Sequence, residues 1–474
     1  MNVDHWIGGE RVPSAERFED HSPIDGSVLA HVARGGIDEA ALAVRAAADA
    51  FPAWARTSRE ERARLLHAIA DGVERRTREL AMVETTDNGA LLRSHLRGVM
   101  PRVAHNFRFF ADWLLGLGRD DFDTRGHANH VSWDPAGVAV LITPWNAPLM
   151  LATWKIAPAL AAGNTVVLKP AEWSPLTASL LADITAEAGL PDGVFNVVQG
   201  YGAEVGPSLT GHPGVRRISF TGSVATARTI AASAAPNLTP LSLELGGKSP
   251  LLVFADSDLD LAADLAVEQY DNAGQVCLAA VRLLVEESVA ADFQERFLAR
   301  ASALRQGDPR DPDTDLGPQI HPRQFDKIDA FVRRAVAEGA SPVLGGGPNR
   351  DLGGLYYQPT LLTGTKPGSE ILTEEVFGPV LTLQTFADEE EAVAMANSTD
   401  YGLAATLVTG SPARAERVSA CLVAGTVWVN CFFVRDLRAP FGGARRSGVG
   451  REGGDWSFDF YCDVKNTVSA PWAR

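Results

Sequence analysis

The chain has 474 residues, 46% of them hydrophobic and 22% charged. At ~150 residues per domain this allows several domains around a large buried core, and it excludes a disulfide- or metal-stapled mini-protein, a disordered chain and a fibrous repeat. Its 43 Lys and Arg against 59 Asp and Glu give a net charge of −16 with no offsetting basic patch, so neither nucleic acid nor an anionic membrane surface is expected as a partner.

In chain order, the opening MNVDHWIGGERVPS carries acids early and no apolar core of a signal peptide. A cytoplasmic protein is therefore expected, with Cys277, Cys421, Cys431 and Cys462 as free thiols. Asp38 to Ala53 and Ser58 to Thr86 read as amphipathic helices with Asp38 and Ser58 as N-caps. The uncharged stretch Pro135 to Trp154 has the length of a membrane span, but Pro135, Pro144, Pro148 and Asn146 break it. From Gly137 the pattern alternates. Gly137–Thr143, Asn164–Pro170, Val194–Gly200, Arg216–Gly222 and Leu241–Gly247 read as strands, and Ser174–Ala188 and Ser223–Ala235 as helices with Ser174 and Ser223 as N-caps. A second series follows, with strands Leu251–Asp256, Val281–Glu287 and Thr406–Gly410, helices Asp292–Leu304 and Gln324–Glu338, and a surface loop at Gly345–Gly354. Such alternation predicts an α/β protein of two domains joined near Gly246 and Gly247, each a parallel sheet covered on both faces.

Four places could carry chemistry. Gly200-Tyr201-Gly202 with Gly206 is one residue longer than the dinucleotide fingerprint and lacks a strand-end acid ~20 residues on, so it reads as a tight turn before a helix. Phe220-Thr221-Gly222-Ser223, where a strand gives way to a helix, is a better phosphate cradle. Cys277 follows small residues in Asn272-Ala273-Gly274-Gln275-Val276, as a nucleophile approached closely by substrate would, although a packed core thiol fits the same pattern. Glu244, ahead of Gly246 and Gly247 at the end of an apolar strand, suits a general base or a helix cap.

Together with Thr143-Pro144-Trp145-Asn146, Lys169-Pro170-Ala171-Glu172, Glu375-Val376-Phe377-Gly378-Pro379 and Pro440-Phe441-Gly442-Gly443, these segments resemble the NAD(P)-dependent aldehyde dehydrogenases, in family order and over nearly the whole chain. The resemblance implies a Rossmann-like cofactor domain (1–119 and 135–246), an α/β catalytic domain (247–445) and a small oligomerisation flap (120–134 and 446–474), assembled as a homodimer or homotetramer. It also implies roles. Cys277 is the nucleophile, Asn146 and the Cys277 backbone N–H form the oxyanion hole, Glu244 activates the hydrolytic water, and Lys155 relays protons or forms a structural ion pair. The cofactor is NAD, held by Thr143, Trp145, Lys169, Glu172, Gly222, Ser223, Leu245, Glu375 and Phe377, and no metal is expected. A carboxylate at Glu172 accepts hydrogen bonds from the ribose hydroxyls and disfavours NADP. Val224, Ala227 and Ala444-Arg445 depart from the family pattern.

The run Val429 to Arg438, with Arg102, resembles the branch that oxidises muconic semialdehydes from aromatic ring cleavage. Arg102 and Arg435 would bind a substrate carboxylate while Trp154 and Phe432 supply apolar walls; the competing readings are that Arg435, Asp436 and Arg438 brace their own loop, and that Phe433 packs in the core. Glu244 speaks against a CoA-acylating relative, which needs no base, and the intact Cys277, Glu244 and Asn146 speak against an inactive structural protein.

Overall fold

A computed structural model describes residues 1–118 and 120–471. Two large sheets organise it. The first has eight strands in the order Gly448–Val449, Leu241–Leu245, Val215–Gly222, Val138–Ile142, Thr165–Lys169, Phe195–Val197, His5–Ile7 and Glu10–Val12. The central five run parallel, and antiparallel strands close both edges. Successive side chains of a strand point to opposite faces, and here both faces are covered. Ala139, Leu141, Val166 and Leu168 join one hydrophobic cluster with helices Arg59–Arg75, Met100–Gly116 and Pro148–Ala162, while Val138, Val140 and Val167 join another with Ile37–Ala55 and Val224–Ala234.

The second sheet has seven strands in the order Ser341–Leu344, Thr360–Thr363, Val380–Phe386, Arg282–Glu286, Pro250–Val253, Ala404–Val408 and Thr426–Val429. Only the first is antiparallel to its neighbour. Asp120–Thr124, His127–Pro135 and Cys462–Ser469 form a separate antiparallel sheet. The rest of the C-terminal segment lies elsewhere: Gly448–Val449 edges the first sheet, and the helix Gly454–Tyr461 packs on Pro148–Ala162. Among the described residues no helix is long and apolar enough to cross a membrane.

Several local expectations change. Ser58 and Ser223 cap their helices, accepting the Glu61 and Thr226 N–H groups at 3.1 and 3.2 Å. Asp38 does not cap; Glu39 does, its Oε2 accepting the Gly36 N–H at 2.8 Å. Nor does Ser174, because the helix begins at Leu176, whose N–H is taken by Asp87 Oδ2 at 3.1 Å. The helix expected from Ser58 to Thr86 is two, Arg59–Arg75 and Thr77–Asn88, parted at Arg76 where φ is −105° and ψ is 14°. The apolar spacing continues across that break, so periodicity gives no sign of it.

Candidate active site

Thr143, Lys169, Gly222, Ser223, Glu244 and Leu245 all lie at or just beyond the carboxyl ends of parallel strands in the first sheet, where α/β proteins bind ligands. Cys277 arrives from the other side on an unusual turn. Asn272, Ala273 and Gly274 have φ of 49°, 53° and 74° in succession, a left-handed conformation that Gly and Asn adopt readily and that strains Ala273. At Gly274 the backbone passes so close to Gly378 that a Cβ would collide with its carbonyl. Hydrogen bonds hold the turn: Gln275 Nε2 donates to the Asn272 carbonyl at 3.0 Å, Gln275 Oε1 accepts from the Ile320 N–H at 3.1 Å, and Gln319 Nε2 donates to the Ala273 carbonyl at 3.1 Å.

Asn146 reaches this turn from the loop that follows Val138–Ile142. Its Nδ2 donates to the Gln275 carbonyl at 2.9 Å, two residues before Cys277. Cys277 is half-buried, and the four cysteines are free thiols. Burial, with the Glu375 and Glu244 carboxylates, pushes the Cys277 thiol up to about 12, while the Arg435 guanidinium acts in the opposite direction.

Glu244 is 4% exposed, and neither carboxylate oxygen has a hydrogen-bond partner. Burial, then the Glu452 charge, holds its carboxyl well above the usual range against Lys155, Arg435 and Arg451. Lys155 is fully buried in an ion pair: Nζ donates to Glu452 Oε1 at 2.7 Å and to Ser219 Oγ at 2.8 Å. Glu452 was not singled out from the sequence, although it sits among glycines in Gly450-Arg451-Glu452-Gly453-Gly454, much as Glu244 precedes a pair.

Pairwise contacts tie several of the expected cofactor residues together. Lys169 Nζ lies 3.6 Å from Glu172 Oε2, and burial lowers the Lys169 pKa. A Cβ on Gly202 would touch both side chains at 3.9 Å, which places the glycine-run turn beside this pair. Glu375 Oε1 accepts the Gly247 N–H at 3.1 Å, and its carboxylate occupies the space a side chain at Gly246 would need. The Trp145 and Phe377 rings meet edge to face at 5.2 Å, and Phe377 has φ of 60°. Trp173 stacks on His321 at 4.3 Å, an aromatic contact between the two sheets' loops that no local sequence signal marks.

The arginines of this loop differ in their surroundings. Asp436 is paired with Arg438 at 2.5 Å, so the brace is made without Arg435. Arg435 is packed over the rings of Phe441 at 3.7 Å and Trp154 at 4.9 Å, and its buried Nη2 has no partner. Burial, then Arg102, lowers its pKa to about 10. Arg102 lies over the same Trp154 ring at 5.9 Å. Phe432 is half-buried against Trp428 at 5.3 Å, whereas Phe433 is 46% exposed and packs in no core.

Two α/β sheets, with a thiol on a turn bonded to the loop beyond a strand end of the first sheet, give the architecture of an enzyme that works on a small molecule. The model of the aldehyde dehydrogenase family matches residues 11–467, and the chain belongs to that family. It is 45% identical over 480 aligned residues to the 2-hydroxymuconic semialdehyde dehydrogenase of Pseudomonas sp. (strain CF600), covering 98% of each chain. It is 42% identical over 475 residues to the 2-aminomuconic semialdehyde dehydrogenase of Danio rerio, again over 98% of each. Betaine aldehyde dehydrogenase from Staphylococcus aureus, solved in complex with NAD+, superposes with a TM-score of 0.96 at 37% identity, over 99% of this chain and 96% of that one.

Proposed function

We propose that this aldehyde dehydrogenase uses NAD to oxidise a semialdehyde carrying a distant carboxylate, of the 2-hydroxymuconic semialdehyde type, to the corresponding acid. The observation that carries the substrate class is Arg435, a buried guanidinium with an unpaired Nη2 that shares the Trp154 ring with Arg102 while the neighbouring Asp436 is already taken. A buried cation without a counter-ion is costly, and a bidentate carboxylate would relieve it. The names of the Pseudomonas and Danio rerio relatives agree with that chemistry.

In this reading Cys277 Sγ attacks the aldehyde carbon, and the alkoxide is held by the free N–H of the Asn146 amide and the Cys277 backbone N–H, at ~3–4 kcal/mol per donor. A thiol raised to about 12 is not ionised at neutral pH, so its proton leaves to solvent water as substrate arrives. Glu244, desolvated and with neither oxygen hydrogen-bonded, takes a proton from the water that hydrolyses the thioester. The Lys155–Glu452 pair lies behind it as a route for that proton.

The residues present fit NAD. Glu172, beside Lys169, would hold the ribose hydroxyls; Gly222 and the capped helix start at Ser223 would offer N–H groups to phosphate; Thr143, Trp145, Leu245 and Phe377 would flank the nicotinamide end; and Glu375, for whose carboxylate Gly246 leaves room, would hold a second ribose. Bound NAD would supply the hydride acceptor for the carbon attached to Cys277. We assign 1–119 and 135–246 to cofactor binding and 247–445 to the thiol. The antiparallel sheet containing Cys462–Ser469 is assigned to assembly of a dimer or tetramer, and the free thiols fit a reducing cytoplasm.

The test is a pair of aldehydes of equal length, one with a distal carboxylate and one neutral. A charged hydrogen bond in a partly dry site contributes ~1.5–3 kcal/mol, so Arg435→Ala should lower kcat/KM for the carboxylated aldehyde by ~10- to 150-fold and change the neutral one little. Equal losses on both would assign Arg435 to loop structure and leave the substrate class open.

A further inference from the structure

Asn146 is tied to the nucleophile loop in both directions. Its side-chain Nδ2 donates to the Gln275 carbonyl at 2.9 Å, and Asn272 Nδ2 donates back to the Asn146 main-chain carbonyl at 3.0 Å. One N–H of the Asn146 amide is thereby used, which fixes the plane of the amide and aims the other. Asn272 makes its bond from a left-handed backbone, φ 49°, a conformation that Asn is among the few residues to adopt readily. The turn cannot relax on the other side, because Gly274 is pressed against Gly378 and Gln319 holds the Ala273 carbonyl.

We propose that Asn272 is a positioning residue that acts through Asn146, its side chain locking the oxyanion-binding amide to the loop that carries Cys277. The inference rests on the proposed role of Asn146. The two donors of the oxyanion hole come from different segments, Asn146 from the loop after Val138–Ile142 and Cys277 from the turn. Their separation must be held to a fraction of an ångström for both to meet one oxygen, and the reciprocal bonds are the direct link between them. The effect falls on the step in which charge develops on that oxygen, not on the binding of either substrate.

The test is a double-mutant cycle read by the rate constant of the first NADH turnover after rapid mixing. Asn272→Gly keeps the left-handed backbone and removes the bond; Asn272→Asp keeps the shape and removes the N–H donor. Each should slow the first turnover by ~10- to 100-fold, leave NAD and aldehyde dissociation constants within about twofold, and leave the rate of Cys277 alkylation by iodoacetamide unchanged. In an Asn146→Ala background the same Asn272 substitutions should have little further effect, because the group they position is gone. Additive losses, or altered alkylation, would assign Asn272 to the shape of the loop and overturn the proposal while leaving the role of Asn146 intact. A normal first turnover in Asn146→Ala alone would remove the oxyanion role itself and this inference with it.

Discussion

Burial pushes the Cys277 thiol up to about 12 and holds the Glu244 carboxyl above its ordinary range. The thiol therefore has to lose its proton before it can attack. Because the base form of Glu244 is populated only above its raised pKa, turnover should climb with pH through a range higher than an ordinary carboxylate gives. That limb should vanish in Glu244→Gln, as a kcat–pH profile would show; an unchanged limb would place the titration on another group. Cys277→Ala should abolish oxidation while leaving NAD affinity, read by calorimetry, nearly as in the wild type. At this scale the sequence was informative wherever one residue type had one chemical use. Glu452 escaped notice because its meaning comes from Lys155, 297 positions away in the chain.

At the scale of elements, the strand ends were legible and the loops between them were not. Val138–Ile142 is an unbroken apolar run and Thr165–Lys169 has an apolar centre, both buried on both faces, while Leu241–Leu245 alternates Leu with Ser and Glu; each pattern can be read directly. The strands Thr360–Thr363, Val380–Phe386 and Thr426–Val429 went unread, since each is flanked by irregular chain and mixes Thr or Gln with its apolar residues. Caps followed the same division: Ser58 and Ser223 are local, whereas Leu176 is capped by Asp87 from a distant helix. The turn at Gly246 carries a prediction of its own. Its missing side chain leaves room for the Glu375 carboxylate, so Gly246→Ala should displace that group. NAD should bind ~10-fold or more weakly by calorimetry with thermal stability little changed. Unaltered NAD binding would show that Glu375 does not need that place.

For the whole molecule, a buried acidic cluster far from Cys277 in sequence couples stability to pH. Burial raises Asp20 to about 6 and Glu84 to about 7, and it pushes Asp87, also facing Asp20, well above the usual range. The folded state therefore keeps protons that the unfolded chain releases near pH ~4. Stability from these groups is complete below that value and is lost as pH rises to about 7. Glu84→Gln, which needs no proton, should flatten the fall in melting temperature between pH 5 and 7; an identical slope would mean that Glu84 does not titrate there. The claim on which the rest depends is that Cys277 forms a thioester which Glu244 then clears, and it is tested most directly by mixing the Glu244→Gln enzyme with NAD and a carboxylated aldehyde and following NADH. The account predicts a burst near one equivalent per site followed by turnover reduced ~10²-fold or more. Loss of the burst in step with turnover would contradict it.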